Sequence, residues 1–492
     1  MAGDTPRILP PPDSFMNHET NQTPNGERLP ARKKLAWSVG ALFENLMANG
    51  INELGLQIFN IGYGVSPIMF GWAQTIPRLL DAFADPALGN WSDNTHTRWG
   101  RRKPWIFVSS VACMFLFLLL WWPSSLWSPT GIFTWFLVIS IFYYLFFGMY
   151  QISYNALGME LTEDYHERTR VQSWRYLFIM LSVPILGWAY KLCFVDFFQI
   201  GCPAGAANPE VFGIRGVSLL IVGFMLLSLI GPLLFVKERH SLHTDQAPKL
   251  KLLPAMKATF GDHLYLHFLA FILFAVLGTF VTPVVKYVIV YHVCGGDKAD
   301  GATVIGYYMT LGIIGSFAII PLVNLLSARI GKPRTLLLGQ GLAILVALST
   351  WWLFTPALKY LCVITGIFYN MALGTVLILY NSVIADICDV DEIKTGKRRE
   401  GVYSAVGGFM FKLVFSASTL VTGYMLVFAG FDEKLGTQPT ATLVNLRLVV
   451  MLFPAVMAAI AALLAYKFPL TERRVAEYKV ELDVLRRQRG EA

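Results

Sequence analysis

The sequence predicts an all-α membrane protein: twelve transmembrane helices in two halves of six. Three observations predict it. Of 492 residues, 55% are hydrophobic and only 15% charged, whereas a soluble domain carries roughly 25% charged residues. The mean hydropathy is +0.52, and the apolar residues fall in blocks that reach the ~20 residues a bilayer-crossing helix needs. The bases collect in alternate short loops between those blocks, as expected when one face of a membrane protein holds the positive charge.

Residues 1–33 come first, polar and Pro-rich ("RILPPPDS", "NQTPNGERLP"). Such a composition cannot bury a core and predicts a disordered cytoplasmic tail. "ARKK" then leads into a first span too long, and too polar around Glu44 and Asn45, for a cleavable leader. The spans follow at 35–60, 66–90, 105–123, 131–158, 174–195, 214–236, 264–292, 303–327, 335–354, 358–385, 402–428 and 444–466. One set of loops holds Arg98–Lys103, Arg168–Arg170, Lys237–Lys257, Arg329–Arg334 and Lys394–Arg399. The other set (Ile61–Val65, Pro123–Thr130, Phe197–Gly213, Cys294–Ala302, Ala429–Thr440) is nearly free of bases. Twelve spans place both termini on the basic, cytoplasmic side of the inner (plasma) membrane. The net charge of +8 is thereby assigned to topology and not to nucleic acid. The C-terminal tail 467–492, with "TERRVAEYKVELDVLRRQRG", reads as a solvated or membrane-surface helix.

The longest basic loop, 237–262, divides the chain into an N-terminal half, 34–236, and a C-terminal half, 263–466. "RWGRRKP" after the second span resembles "RIGKPR" after the eighth, with Gly100 and Gly331 standing 231 positions apart. "ELTEDYHERTR" after the fourth meets "DEIKTGKRREG" after the tenth, and Arg168 and Arg399 keep the same interval. Parallel repeats of six spans are the organisation of a major-facilitator transporter.

The chemistry lies in residues a bilayer disfavours. An acid inside a span costs at least ~2.5 kcal/mol on insertion scales, and such acids face protein or a water-filled path. Asp81 and Asp85 in the second span are spaced i, i+4 and share one helix face. Two carboxylates that close disfavour double ionisation, the property of a coupling-ion site. Lys412, well inside the eleventh span, needs an acidic partner, and these acids are the natural ones. In the first span Glu44, Asn45, Asn49 and Asn52 form a polar stripe at helical spacing. The fourth offers Gln151, Tyr154 and Asn155, amides for hydroxyl groups and a ring for a sugar's C–H face. Arg175 in the fifth can make forked bonds to adjacent hydroxyls or pair with Asp81. Lys286 lies nearer the outer end of its span, where it could snorkel. On the cytoplasmic side "SDNTHTRWGRRK" supplies Asp93, Arg98, Arg101 and Arg102 as a gate that ties helix ends together. The six cysteines show no CxxC pair and no metal spacing; Cys193 and Cys202 read as free thiols, with a disulfide as the alternative. HExxH, GxSxG and Walker motifs are missing, so an enzyme is not expected.

"DAFADP…DNTHTRWGRRKPW", "YNALGMELTEDYHERTRVQSWR" and "ADICDVDEIKTGKRREG…K" together resemble the glycoside–pentoside–hexuronide:cation symporter family, over roughly Lys34 to Lys412. The resemblance implies sugar uptake driven by a proton or sodium gradient, by one monomer in the bilayer without a cofactor. It implies that Asp81 is the aspartate on the sugar and cation side, Asp85 the principal cation aspartate, Lys412 the helix-eleven lysine and Arg175 the helix-five arginine. The departures are informative. Glu44 and Asn45 replace the family's lysine and aspartate on helix one. Gln151 replaces a sugar-contacting aspartate, and Asn155 a stacking tryptophan, with Tyr154 adjacent. Two sodium-ligand positions carry Ala84 and Gly148. A proton needs only one carboxylate, so a proton is the expected coupling ion and sodium at Asp81 and Asp85 the alternative. A facilitator or carrier of an amphiphile is the competing function.

Overall fold

The computed structural model describes residues 29–95, 97, 99–124, 126–162, 165–236, 261–396, 399–470 and 472–489. The expected tail up to residue 28 and most of the central loop, 237–260, lie outside these. Twelve long helices are present among the described residues: α1 (Gly40–Gly55, continued by a π-helical turn Leu56–Gly62), α2 (Pro67–Asp93), α3 (Lys103–Leu120), α4 (Pro129–Met159), α5 (Tyr165–Leu192), α6 (Glu210–Phe235), α7 (His263–Val293), α8 (Lys298–Ile330), α9 (Lys332–Leu353), α10 (Pro356–Thr395), α11 (Glu400–Phe428) and α12 (Thr440–Tyr466). A short helix, Ala31–Ser38, precedes α1, and α13 (Glu472–Arg489) follows α12.

Local sequence sets the helix ends. Proline opens α2, α3, α4 and α9 within the first turn, where its missing N–H leaves no bond unmade. Asp262 caps α7 by accepting from the Leu264 amide at 3.0 Å, and Asp297 caps α8 from two amides at 2.9 Å. Gly396, left-handed at φ 69°, ends α10. Nine of these helices are long and apolar enough to cross a membrane by length and composition. The three that fall short, α1, α2 and α5, carry Glu44, Asp81, Asp85 and Arg175. Their polarity marks the site; α2 and α5, at 27 and 28 residues, have the length to span.

The 231-residue interval reappears in the backbone. Gly100 and Gly331 both take positive φ, 108° and 82°, as the chain enters α3 and α9. Gly64 and Gly295, at the same interval, take 70° and 63° just after the π-helical ends of α1 and α7. The Tyr63 amide bonds to Ile58 O, and its counterpart Cys294 bonds to Ile289 O. The two halves are thus parallel copies of one six-helix plan.

The halves meet through α2 against α11 and α5 against α8. Their tightest contacts lie toward the base-poor end. Cβ atoms at Gly71 and Gly423 would fall 2.6 Å from Leu420 Cα and 2.5 Å from Pro67 O, so α2 and α11 touch backbone to backbone. Thr75 Oγ1 donates to Ser416 O at 2.8 Å, and Trp188 Nε1 to Thr310 Oγ1 at 3.1 Å. One apolar core runs through the N-terminal half and across this seam into Val281–Val293 and Ala302–Ile305; a second fills the C-terminal half.

The C-terminal helix corrects an expectation. α13 is docked rather than simply solvated: Arg486 makes a forked pair with Glu392 at the end of α10, at 2.7 and 3.0 Å, and Leu482 is buried. Cys193 and Cys202 are both free thiols.

Candidate functional site

One face of α2 carries the central charges. The Lys412 ammonium, from α11, donates to Asp85 Oδ2 at 2.5 Å and to Asp81 Oδ2 at 3.3 Å. The three side chains thereby join the two halves. The remaining oxygens, Asp81 Oδ1 and Asp85 Oδ1, are buried without a hydrogen-bond partner. They lie against α4 at Gly148, where a Cβ would stand 2.1 Å from Asp81 Oδ1 and 3.5 Å from Asp85 Oδ1. The missing side chain at 148 is therefore what admits the carboxylates. Asp85 and Lys412 keep 27% and 32% side-chain exposure. The backbone contact of α2 with α11 at Gly71 and Gly423 lies on their base-poor side.

A second cluster lies within the N-terminal half. Arg175 Nη2 donates to Glu44 Oε2 at 2.6 Å. Gln151 and Asn155, one turn apart on α4, both aim their amide N–H groups at Glu44 Oε1, at 3.4 Å. The Arg175 guanidinium stands 5.9 Å from the Trp37 ring. Where the sequence offered Asp81 as an ion-pair partner for Arg175, the structure supplies Glu44, which is 6% exposed.

Between the halves lies a cavity of about 530 Å³, within the range of small-molecule sites. Asn49, Asn52, Glu53, Arg78, Asp81, Gln151, Lys286 and Lys412 supply its polar wall, with Tyr144, Phe147, Phe411 and Phe415 among its aromatic lining. Asn49 donates to Asn45 Oδ1 at 2.5 Å, so Asn45 supports the wall from behind.

Several expectations are corrected. Tyr154 does not offer its ring to the cavity: it is 0% exposed, stacked between Trp37 and Tyr150, and its hydroxyl donates to Trp37 O at 2.8 Å. Residue 154 stands about 100° round the helix from Asn155, and its ring packs onto α1's lead-in helix at Trp37. Lys286 does not snorkel. It is 6% exposed and bonds Glu53 of α1 at 2.5 Å. At the base-rich end Arg101 and Arg102 both bind Glu160 at the end of α4, at 2.9 Å. Arg98 and the side chain of Asp93 lie outside the described residues.

Arg78 escaped the sequence reading. Its guanidinium donates to Asn52 Oδ1 at 2.6 Å, Tyr144 Oη at 3.1 Å and Phe415 O at 3.1 Å, the last from the other half. The signal was present: a base in mid-span, three residues before Asp81 on the same helix.

Comparison with known proteins places this geometry in a family. The family model described as MFS/sugar transport protein matches residues 47–472. An uncharacterized symporter of Synechocystis sp. is 23% identical, over 92% of this chain and 96% of that protein. The lactose permease of Lactobacillus helveticus is 26% identical over 83% of this chain, which spans 64% of that protein. The isoprimeverose transporter of Lactiplantibacillus pentosus is 24% identical over 82% and 81%. Among solved structures, a D-xylose–proton symporter superposes with TM-score 0.56 at 14% identity, covering 89% of this chain and 96% of that one. The chain therefore belongs to the MFS/sugar transport protein family, in the glycoside–pentoside–hexuronide:cation symporter group of the major facilitator superfamily, and is a multi-pass membrane transporter rather than an enzyme.

Proposed function

We propose that the chain is a sugar:cation symporter, taking a glycoside or oligosaccharide, coupled to protons and working by alternating access as a monomer in the plasma membrane. The observation that carries the reading is the Asp81–Asp85–Lys412 cluster, which bridges the halves beside a polar and aromatic cavity. A proton on the acid pair relieves its internal repulsion and loosens its hold on Lys412. The charge that arrives with the cation thus bears directly on the contact between the halves. Gln151, Asn155, Arg175 and Glu44 supply donors and acceptors for hydroxyl groups; Asn49 and Arg78 extend the set. The names of relatives, a lactose permease and an isoprimeverose transporter, support a sugar.

Protons are favoured over sodium by the donor count. Asp81 Oδ1 fills the space at Gly148 where a side-chain oxygen would stand, and Ala84 adds none. Sodium needs several oxygens, whereas a proton needs one carboxylate. The positive-inside bias assigns the basic loops and both termini to the cytoplasm, and the close contacts toward the base-poor end support an inward-facing reading, with Arg101, Arg102 and Glu160 among the cytoplasmic gate residues. One observation favours a carrier of amphiphiles as the second reading: Phe411 lines both the cavity and an apolar groove of about 240 Å³ between α7 and α11. Counterflow in proteoliposomes, across a panel of glycosides and one alkyl glycoside, with and without sodium, separates them. Counterflow of unsubstituted sugars without sodium supports the reading; counterflow only of the alkyl glycoside, or only with sodium, defeats it.

A further inference from the structure

Two further ion pairs join the halves, both on the base-poor side of the cavity. Lys286 of α7 donates to Glu53 Oε2 at 2.5 Å and to the Glu53 carbonyl at 2.7 Å, with side-chain exposures of 7% and 23%. Lys298, the first residue of α8, donates to Glu210 Oε1 at 2.7 Å and Asn208 Oδ1 at 2.8 Å. Glu210 is fully buried, and its second oxygen has no partner. Asn208 in turn donates to Gly62 O at the end of α1. Between the two pairs Tyr287 donates to Asn60 Oδ1 at 2.8 Å and approaches Leu56 O at 3.4 Å. Leu56 and Tyr287 are 231 positions apart. They are equivalent residues of the two repeats, so α1 and α7 meet on the pseudo-twofold axis relating the halves. A contact on that axis closes or opens with the rotation of one half against the other.

We propose that Glu53–Lys286 and Glu210–Lys298 form the gate of the base-poor end, with Lys286 the positioning residue that ties this gate to the transport cavity. The proposal rests on the alternating-access reading. Each pair takes one charge from each half, so neither survives separation of the halves at this end. Each has one buried member, Lys286 or Glu210, so removing its half-buried partner strands a charge that is costly without water. The closed state is thereby stabilised only while both halves present their charges, and the open state, which hydrates all four groups, escapes the cost. Lys286 and Glu53 also line the cavity. A substrate group that accepts from the Lys286 ammonium competes with Glu53, which makes occupancy of the cavity weaken the inner of the two pairs.

The test measures distance across the base-poor end by pulsed electron resonance, with spin labels at Leu126→Cys and Lys434→Cys, both exposed sites on opposite halves. Cys202 and Cys294, the two cysteines that are not fully buried, are replaced by serine. Lys286→Gln and Glu53→Gln are each expected to raise the ratio of long to short distances by about tenfold or more, and Lys298→Gln to do likewise. The charge swap E53K/K286E should return the ratio to within about twofold of the parent. An unchanged ratio in the single variants, or a swap no better than either single, overturns the proposal. If Lys286→Gln does not yield folded protein, Glu53→Asp shortens the same reach and must give an intermediate shift; none overturns the proposal. The labels report without any sugar. Shifted distances in a protein that fails sugar counterflow defeat the symport reading alone, and unmoved distances in a protein with normal counterflow defeat the gate alone.

Discussion

Gly148→Ala is the sharpest perturbation of the coupling site, because it adds one carbon beside the acid pair and removes no charge. That carbon would stand 2.1 Å from Asp81 Oδ1 and 3.3 Å from its Cγ, where ordinary contact begins at 3.4 Å. The carboxylate must move by more than about 1 Å, and overpacking of this kind typically costs about 1–3 kcal/mol. Alanine returns up to ~1 kcal/mol through helix propensity, so the melting temperature should fall only modestly. Transport should suffer more, since the displaced carboxylate also holds Lys412, through its other oxygen, Oδ2. If the full overpacking cost falls on the coupled state, gradient-driven uptake drops by about 5- to 150-fold. Gly223→Ala is the matched control, with nothing within 4 Å of its added carbon; it should transport as the parent does. The assay is initial uptake into proteoliposomes alongside thermal unfolding of the purified protein. Uptake by Gly148→Ala within about twofold of the parent would show that the close fit of Asp81 against α4 is irrelevant to coupling, and the placement of the acids would need another explanation.

Lys412→Ala leaves Asp81 and Asp85 without their cation, a change of the kind that costs about 3–5 kcal/mol; it should abolish uptake, and Asp85→Asn in the same chain should recover part of the sugar exchange. Strictly additive losses in that double-mutant cycle would mean that the lysine and the acids act separately. Glu44→Gln removes the charge holding Arg175 and should raise the KM for sugar by about tenfold or more while changing maximal rate less, read from concentration series of counterflow. Glu160→Gln removes the charge that Arg101 and Arg102 share at the end of α4 and should slow turnover with KM unchanged; a severalfold change in KM with turnover intact would place that cluster in the binding site.

Much of this was legible in the sequence because a bilayer makes charge conspicuous. Asp81, Asp85 and Lys412 stand out as charges in apolar helices, and one helix periodicity puts the acids on a common face. The 231-residue repeat read from two basic loops reappears in the paired glycines and π-helical ends of α1 and α7. What escaped was mostly pairing across the seam. Lys286 near a helix end has an ordinary reading as a snorkelling base, and only the position of α1 against α7 shows that Glu53 meets it instead. Arg78 was overlooked beside the acids, although the same helix-face argument that joined Asp81 to Asp85 includes it. Tyr154 failed for a different reason. A tyrosine next to polar residues looks like a sugar platform, but which neighbour captures a ring is decided by packing, and here Trp37 and Tyr150 capture it. α1, α2 and α5 are less apolar because they build the site, and the alternation of basic and base-poor loops still counts them as spans.

The central claim is that the acid pair on α2 converts a proton gradient into sugar accumulation. Its most direct test imposes an inward proton gradient on sodium-free proteoliposomes holding either the parent or Asp85→Asn, and follows labelled sugar to steady state alongside exchange of preloaded sugar. The parent should accumulate sugar above the external concentration, and Asp85→Asn should exchange sugar without accumulating it. Uphill accumulation by Asp85→Asn equal to the parent's, or a parent that only equilibrates sugar under the gradient, would contradict it.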